Sequence, residues 1–223
     1  RRHTRYISVT GVQTCALPIF LENTEPWTAA ELAAHKSAIG LTAHDVLTVC
    51  WTSGTEARAK GVPRNHNEWL IVGTSVVDAA QLKPGAQLVI PFPFVNMAGL
   101  STSFAAWLQL EATLYHHHPF DLGVFIEQLR AEPVDYTVAP PPVLDLLLEN
   151  PQHLEGIDLS RLTRIGSGGG PLSNRLVEAF SDRFGIEIVN YFGSNEGAAL
   201  ASTPQDVPDH HQRARYFPRM GVP

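Results

Sequence analysis

The sequence predicts an α/β fold with a mainly parallel sheet flanked by helices. Short runs of β-branched and apolar residues alternate with amphipathic segments of about ten to fifteen residues, and this alternation is typical of βαβ units. Glycine-bearing loops follow three of the predicted strands, at 52–61, 166–170 and 193–197. Because ligands of such sheets bind at the carboxyl ends of the strands, we expect the three loops to meet at one edge and form a site.

The individual elements are predicted from capping residues, periodicity and turn signals. Thr28, an acidic first turn and a glycine stop favour a helix near 28–39. The run VLTVC (46–50) is predicted to be a buried strand whose following loop leads into a helix at about 67–81. Residues 93–104 are predicted to be a loop leading into a helix that continues through 105–110. The other predicted strands lie at 87–92, 112–118, 135–141, 162–170 and 186–194, and the other helices at 121–132, 142–151 and 171–184, the last with Pro171 near its first turn. No clear element is predicted after about residue 203.

Composition and charge exclude several functional classes. The 223-residue chain is 44% apolar, enough for a substantial core, and its net charge of −6 without basic runs argues against nucleic acid as a partner. No apolar stretch reaches the roughly 18 residues that a membrane span needs. Outside the first nineteen residues Cys50 is the single cysteine, which fits a reducing cytoplasm and excludes an internal disulfide.

The first nineteen residues differ from the rest of the chain. RRHTRYISVTGVQTCALPI has no apolar periodicity and no acidic residue, and over its whole length it resembles the conceptual translation of a short-read sequencing adaptor. We therefore treat residues 1–19 as a non-native leader and leave them out of the fold prediction. The alternative is a genuine disordered N-terminal arm.

The stretch WTSGTEARAKGV (51–62) has the composition of a phosphate-binding loop. Small hydroxylated residues and glycine let backbone N–H groups turn toward anionic oxygens, and a lysine adds a point charge. The phosphate-binding candidates are Thr52, Ser53, Gly54, Thr55 and Lys60. The alternative is an ordinary Ser/Thr/Gly turn with a solvated lysine. A P-loop NTPase is disfavoured, because Ala59 and Gly61 flank Lys60 where that motif needs glycine before and Ser/Thr after.

Three motifs occur in order, WTSGTEARAKGV, GSGGGPLS (166–173) and NYFGSNEG (190–197). Together they resemble the adenylate-forming (AMP-binding) superfamily, in its acyl-CoA synthetase branch. The resemblance implies that residues 20–223 are a partial AMP-binding domain, a fragment of the large N-terminal domain that is truncated at both ends and lacks the C-terminal domain. It also implies ATP-dependent activation of a carboxylic acid to an acyl-adenylate, then thioester formation with CoA, with Mg²⁺ as the metal. The fragment alone is expected to be inactive.

The same resemblance implies roles for single residues. Lys60, Asn195 and Glu196 are the expected catalytic residues, with Asn195 facing the α-phosphate and Glu196 binding Mg²⁺ together with Thr55. The residues expected along the adenine are Gly168, Gly169, Gly170, Pro171, Asn190, Phe192 and Gly193. Ala57, Ala59 and Asn195 replace the glycine, proline and threonine that are usual in the family. These departures keep open a second hypothesis, a non-catalytic nucleotide-binding module of the same fold.

Phe94 and Asn96 lie in PFVNMAGL (93–100), which resembles the segment that begins the acyl pocket of the family. The residues around them include no acid to pair with an ammonium group, so we expect a substrate that is uncharged apart from its carboxylate. A domain that loads a carrier protein is therefore a less favoured alternative to a CoA ligase. Phe94 and Asn96 also suit plain core and turn positions.

Several site candidates have a structural alternative. The glycines at 168–170 also suit a tight strand-to-helix turn, Phe192 suits a core position, and Glu196 suits a solvated surface. The run His116, His117 and His118 is a poor metal site, because successive side chains of a strand point to opposite faces.

Overall fold

A computed structural model of the protein describes residues 27–52, 58–93, 96–196 and 199–216. The chain divides into two compact units, residues 1–42 and residues 43–223. The described part of the first unit contains helix α1 (Ala29–Ile39). The Thr28 hydroxyl accepts the Glu31 N–H at 3.2 Å, the Glu31 carboxylate accepts the Thr28 N–H at 2.7 Å, and Gly40 ends the helix at a φ of +64°. The helix predicted from these caps is confirmed.

The second unit contains a two-stranded ribbon and a six-stranded sheet. The ribbon pairs β1 (Val46–Trp51) with β2 (Gly61–Asn65) in antiparallel fashion. The sheet contains β3 (Gln87–Ile90), β4 (Thr113–His116), β5 (Tyr136–Val138), β6 (Arg164–Gly168), β7 (Glu187–Gly193) and β8 (Ala199–Ser202). Its order is β4-β3-β5-β6-β7-β8, and every neighbouring pair is parallel except β7 with β8. The predicted mainly parallel sheet is confirmed.

Helices cover both faces of this sheet. The helices are α2 (His66–Ala80), α3 (Met97–Gly99), α4 (Ala105–Leu110), α5 (Leu122–Ala131), α6 (Pro141–Glu149), α7 (Asn174–Phe184) and α8 (His210–Tyr216), with a π-helical turn at Leu100–Phe104 and a 3₁₀ turn at Pro151–Leu154. Successive residues of β3 face opposite sides, so Leu88 packs with α2 and α4 whereas Val89 packs with α5, α6 and α7. The parallel strands are therefore enclosed on both faces, as parallel sheets generally are.

Two predictions about the surroundings of the first loop were wrong. β1 is not buried, since Val49 is 52% and Trp51 67% exposed. The loop after β1 leads into β2, and only then into α2. The sequence GVPRN of β2 gives little strand signal because glycine and proline are rare within strands, although an edge strand tolerates Pro63.

The predicted loop at 93–104 is largely helical, since α3, the π-helical turn and α4 follow one another from Met97. Small hydroxylated residues favour loops because their side chains compete for backbone partners. Here that competition is satisfied inside the helix: Ser101 donates to the Met97 carbonyl and Thr102 to the Ala98 carbonyl, each at 2.6 Å. A widened helical turn of this kind is frequent at functional sites.

The C-terminal region holds two further elements that were not predicted, β8 and α8. The buried residues of α8 are Arg213 and Ala214. The helix therefore has no apolar stripe from which it could be predicted. Pro171 also lies outside α7: the helix begins at Asn174, with Ser173 accepting the Leu176 N–H at 3.1 Å as its cap. In the described part of the chain, none of the helices combines the length and the apolar character needed to cross a membrane.

Candidate active site

A cavity of about 340 Å³ lies at the carboxyl ends of the parallel strands. Residues at or just beyond the ends of β3, β5, β6 and β7 contribute to its wall, and α2, α3, the π-helical turn and β8 complete it. This is the edge of the sheet at which the sequence places the glycine-bearing loops. The second and third of these loops meet here.

Four of the residues predicted along the adenine line this cavity: Gly168, Gly169, Phe192 and Gly193. Phe192 is 47% exposed, so it is not a core residue, and an exposed ring in a cavity wall is suited to stacking on a base. The other three predicted residues, Gly170, Pro171 and Asn190, do not line the cavity, and Asn190 is buried in β7. Contact with adenine stays a prediction for all seven.

The glycines at the end of β6 have different structural reasons. A Cβ at Gly168 would collide with the carbonyl oxygen of Tyr191, so the close approach of β6 and β7 alone requires glycine there. Gly169 has a φ of +74°, and a Cβ would meet nothing within 4 Å. Gly169 therefore presents bare backbone to open space in the cavity wall, which suits the approach of a flat ligand.

The ribbon and the third loop are joined by two side chains. The Asn195 amide donates to the Trp51 carbonyl at 2.7 Å. Arg64, only 4% exposed, donates through Nη2 to the carbonyls of Ser194 and Asn195, both at 3.3 Å. The Arg64 guanidinium also lies 5.4 Å from the Trp69 ring centroid, a cation–π distance. These contacts bring the first and third motifs together.

Thr52 and Lys60 close the base of the first loop. The Thr52 N–H donates to the Lys60 carbonyl and the Lys60 N–H donates to the Thr52 hydroxyl, both at 3.0 Å. Neither residue lines the cavity. Ser53, Gly54, Thr55 and Ala57 lie outside the described residues, so the predicted phosphate and Mg²⁺ contacts of this loop stay predictions.

Glu196 follows Asn195 in the third loop and is exposed. No hydrogen bond or ion pair joins its carboxylate to any residue that the structure describes. An exposed carboxylate without a partner among the described residues suits a hard cation such as Mg²⁺. Asn195 can still donate to a phosphate as predicted, because an amide NH₂ has two hydrogens and the Trp51 carbonyl uses one.

The other end of the cavity is apolar and uncharged. Phe92, Met97 and Val138 line it together with the hydroxyl-bearing Ser101 and Thr102. Among the described lining residues none is Asp, Glu, Lys, Arg or His. Asn96, predicted for this pocket, caps α3 instead by accepting the Gly99 N–H at 2.7 Å, as its turn alternative predicts, while Phe94 lies outside the described residues.

Three hydroxyl groups, those of Ser167, Tyr136 and Tyr191, lie at or next to the cavity wall. The Ser167 hydroxyl is fully buried at the cavity wall and has no hydrogen-bond partner among the residues that the structure describes. The Tyr136 hydroxyl donates to the Tyr191 hydroxyl at 3.1 Å. Burial raises the pKa of both phenols above the ordinary tyrosine value, so both remain neutral. The floor of the cavity is therefore polar without carrying charge.

The histidine run at the end of β4 makes contacts with different parts of the chain. His116 contacts the Phe92 carbonyl at 2.8 Å through Nε2, and His117 contacts the Gln128 side chain at 2.7 Å through Nδ1. Burial lowers the pKa of both imidazoles. The divergent contacts agree with the alternating directions expected of neighbouring residues at a strand end.

A sequence model of the family described as AMP-binding enzyme matches residues 8–223. The chain belongs to the AMP-binding enzyme family. The match agrees with the three motifs and with the meeting of the second and third motifs at the cavity. The leader boundary after residue 19 stays a prediction.

The chain is also similar to three known proteins. The chain is 26% identical to indoleacetate–CoA ligase of Aromatoleum aromaticum over 70% of its own length and 30% of that enzyme. Its fold matches the N-terminal domain of FACL13 from Mycobacterium tuberculosis with a TM-score of 0.68, at 22% identity over 83% of this chain and 47% of that one. It also matches the amide bond synthetase McbA of Marinactinospora thermotolerans with a TM-score of 0.66, at 26% identity over 77% and 33%. The chain thus spans about 30% of the length of curated relatives.

Sequence reasoning missed several residues at or near the cavity. Arg64 was missed because β2 itself was missed, although an arginine four residues after the motif lysine is a detectable signal. Met97, Ser101 and Thr102 were assigned to a loop, although their spacing places them on one helical face. Ser167 lies inside the second motif, but it was not identified because the roles in that motif were assigned to its glycines and proline.

Proposed function

We propose that the protein containing residues 20–223 uses ATP to convert a carboxylic acid to an acyl-adenylate, and then transfers the acyl group to the thiol of CoA. The observation that carries the proposal is the cavity where the second and third motifs of an AMP-binding family member meet. The 26% identity to an indoleacetate–CoA ligase supports CoA as the acceptor. Residues 1–19 as leader, 20–223 as a partial domain and a cytoplasmic location belong to the same proposal.

In the proposed first step, a carboxylate oxygen attacks the α-phosphorus of ATP and pyrophosphate leaves. The barrier arises mainly from charge on the phosphates, so fixed donors and cations supply most of the catalysis. Lys60 and the hydroxyls of the first loop hold the β- and γ-phosphates in this scheme. One amide hydrogen of Asn195 binds the Trp51 carbonyl. The other amide hydrogen can donate to the α-phosphate.

Glu196, with Thr55, would hold Mg²⁺ at the phosphates. The ion, when bound, neutralises phosphate charge and favours carboxylate and phosphate oxygens as ligands. The exposed carboxylate of Glu196, which has no partner among the described residues, fits this requirement.

The acid substrate is proposed to be uncharged apart from its carboxylate. The described lining of the cavity offers apolar side chains and hydroxyls but no charged partner, and a buried unpaired ammonium group would be costly. An apolar or aromatic acid with a neutral polar substituent suits such a lining, since the unpartnered Ser167 hydroxyl gains a hydrogen bond from the substituent.

The test uses the full-length protein that contains residues 20–223, assayed for acid-dependent ATP–pyrophosphate exchange and CoA thioester formation. We expect exchange with uncharged acids, and a loss of about 100-fold or more in Lys60→Ala and Glu196→Ala, the range seen when a charge-stabilising group is removed. Lys83→Ala and Glu149→Ala, both exposed and remote in sequence from the motifs, are the matched controls. Unchanged exchange in both site variants would contradict the site. ATP binding without exchange under any acid would instead support the non-catalytic module.

A further inference from the structure

A cluster of two histidines and two carboxylates lies between α7 and α8, outside the proposed active site. The His210 Nε2 atom is 2.8 Å from Oδ1 of Asp182, and the His211 Nδ1 atom is 3.4 Å from Oε1 of Glu178. The ligand atoms of Asp182, His210 and His211 all lie within 4.8 Å of one another. The two imidazole rings are only 4.1 Å apart between centroids.

The packing of α7 determines which of its side chains reach α8. Leu176, Val177 and Phe180 are fully buried in the sheet core. Glu178 and Asp182 are four residues apart and therefore project on one face of the helix, toward the histidines. The helix backbone that carries the two carboxylates is thus held by the hydrophobic core.

The position of α8 is fixed by a buried arginine. Arg213 is 1% exposed and forms an ion pair with Glu187 at the start of β7. Its Nη1 also donates to the carbonyls of Val207 at 2.8 Å and Pro208 at 2.7 Å. Asp209 accepts the backbone N–H groups of His211 and Gln212, which begins the helix. The backbone that carries both histidines is therefore anchored on the same core as α7.

We propose that Asp182, His210 and His211 form a Zn²⁺ site that joins α8 to α7, with Glu178, whose carboxylate lies 3.4 Å from His211 Nδ1, as the fourth ligand. Two imidazole nitrogens and two carboxylate oxygens are the ligand types that Zn²⁺ binds in tetrahedral sites, with bonds of about 2.0–2.2 Å. Ligand atoms in such a site are about 3.4 Å apart. The ligand atoms of Asp182, His210 and His211 lie within 4.8 Å of one another, so these side chains must draw together by up to about 1.4 Å. Mg²⁺ and Ca²⁺ are poor occupants, because they prefer sets made wholly of oxygen ligands.

The site differs from two other features of the chain. His116 and His117 follow one another along β4 and its end, and their nitrogens contact partners in different directions, whereas the nitrogens of His210 and His211 face two carboxylates of one helix. Plain exposed histidine–carboxylate pairs contribute little to stability. A bound ion adds more than the pairs do, because it binds the folded arrangement and not the unfolded chain.

The test is a Zn²⁺ titration of the untagged 223-residue chain by calorimetry, combined with thermal unfolding. We expect one Zn²⁺ per chain at this site and a Zn²⁺-dependent rise in Tm. His210→Ala/His211→Ala should abolish both effects, and Asp182→Asn should weaken Zn²⁺ by at least about 10-fold, the lower end of what even outer partners of a metal site contribute. His116→Ala/His118→Ala is the matched control and should behave as the parent chain.

Circular dichroism without metal verifies that each variant is folded. Asp182→Asn keeps the proposal testable if the double histidine variant unfolds, because an isosteric amide at an exposed position preserves the helix. Undiminished Zn²⁺ binding in both cluster variants, or its loss in the His116/His118 control alone, would overturn the proposal. Replacing Zn²⁺ by Mg²⁺ should give no rise in Tm that depends on His210 and His211.

Discussion

Strand β1 of the ribbon and strand β3 of the six-stranded sheet have similar sequences, but β1 is exposed and β3 is buried. VLTVCW in β1 and QLVI in β3 are both β-branched apolar runs. Leu88 and Val89 of β3 are fully buried, whereas Val49 and Trp51 of β1 are more than half exposed. β3 has a parallel strand on each side and helices on both faces, whereas β1 pairs with β2 alone among the described residues. The comparison shows that an apolar run favours a strand, but the number of neighbouring elements determines its burial.

The two regions also differ in how they reach the site. The sheet places its residues through backbone geometry, because the carboxyl ends of parallel strands lie at one edge. The ribbon is joined to that edge by side chains, through Arg64 and Asn195. Its position should therefore be sensitive to single substitutions that leave the sheet intact.

The largest expected effect is a difference in stability loss between a buried position of the sheet and an exposed position of the ribbon. Leu88→Ala should lower the free energy of unfolding by about 2–5 kcal/mol, because it leaves a cavity in a closed core. Val46→Ala in the ribbon should change it by less than about 0.5 kcal/mol, because that side chain is 60% exposed. Urea unfolding of both variants measures the difference. Equal losses of unfolding free energy in the two variants would contradict this comparison, because they would mean that Val46 is buried to the same degree as Leu88.

The next effect concerns the connection between the regions. Arg64→Met should retain most of the packing on Trp69 but leave the carbonyls of Ser194 and Asn195 without their charged donor. We expect a local loss of about 1–3 kcal/mol, seen as faster amide hydrogen exchange in the ribbon and in β8. Arg175→Met, at an exposed position of α7, is the control. Unaltered exchange at 194–202 would show that Asn195 alone joins the two regions.

A smaller effect is expected from the tyrosine pair inside the sheet. Tyr136→Phe or Tyr191→Phe leaves one buried hydroxyl without its partner and should cost about 1–2 kcal/mol. The double variant should lose less than the sum of the two, since both hydroxyls are then removed. Chemical unfolding of the four proteins gives the coupling energy. Strict additivity would show that the hydrogen bond contributes nothing.

The smallest effect is a pH dependence at the edge strand β4. Burial lowers the pKa of His117 below its ordinary value of 6.5, although the Gln128 hydrogen bond and Asp121 oppose the shift. The unfolded chain then binds more protons than the folded one below pH 6.5, so stability should fall as the pH decreases from about 8 to about 5. His117→Gln should reduce this slope, measured by thermal unfolding at each pH. His153→Gln should leave it unchanged.

Much of the fold could be predicted because its signals are local. The Thr28 cap, the alternation of strands with helices and the glycine loops each depend on a few neighbouring residues. The elements that were missed depend on distant partners. α8 is anchored by Arg213 to Glu187, and the π-helical turn is stabilised by hydroxyls that usually favour loops.

The candidate site was predictable to a similar degree, and for similar reasons. Gly169, Phe192 and Asn195 were identified from motifs, and the structure places all three in the cavity wall. Arg64 and Ser167 were not identified, because their importance arises from contacts or burial created by other strands. A single sequence identifies residues whose role follows from the motif that contains them. It does not identify residues whose role depends on contacts with elements distant in the sequence.

Gly168 has a consequence for how members of the AMP-binding family are compared. Any side chain larger than hydrogen at Gly168 would collide with the carbonyl of Tyr191 on the adjacent strand, whether or not a nucleotide is present. A descendant that had lost all affinity for ATP would still be under selection to keep this glycine, and Gly169 as well because of its φ of +74°. Lys60 and Glu196, which are proposed only for phosphate and Mg²⁺, would be free to change. Conservation of the two glycines would therefore report the fold, and conservation of Lys60 and Glu196 would report the proposed activity.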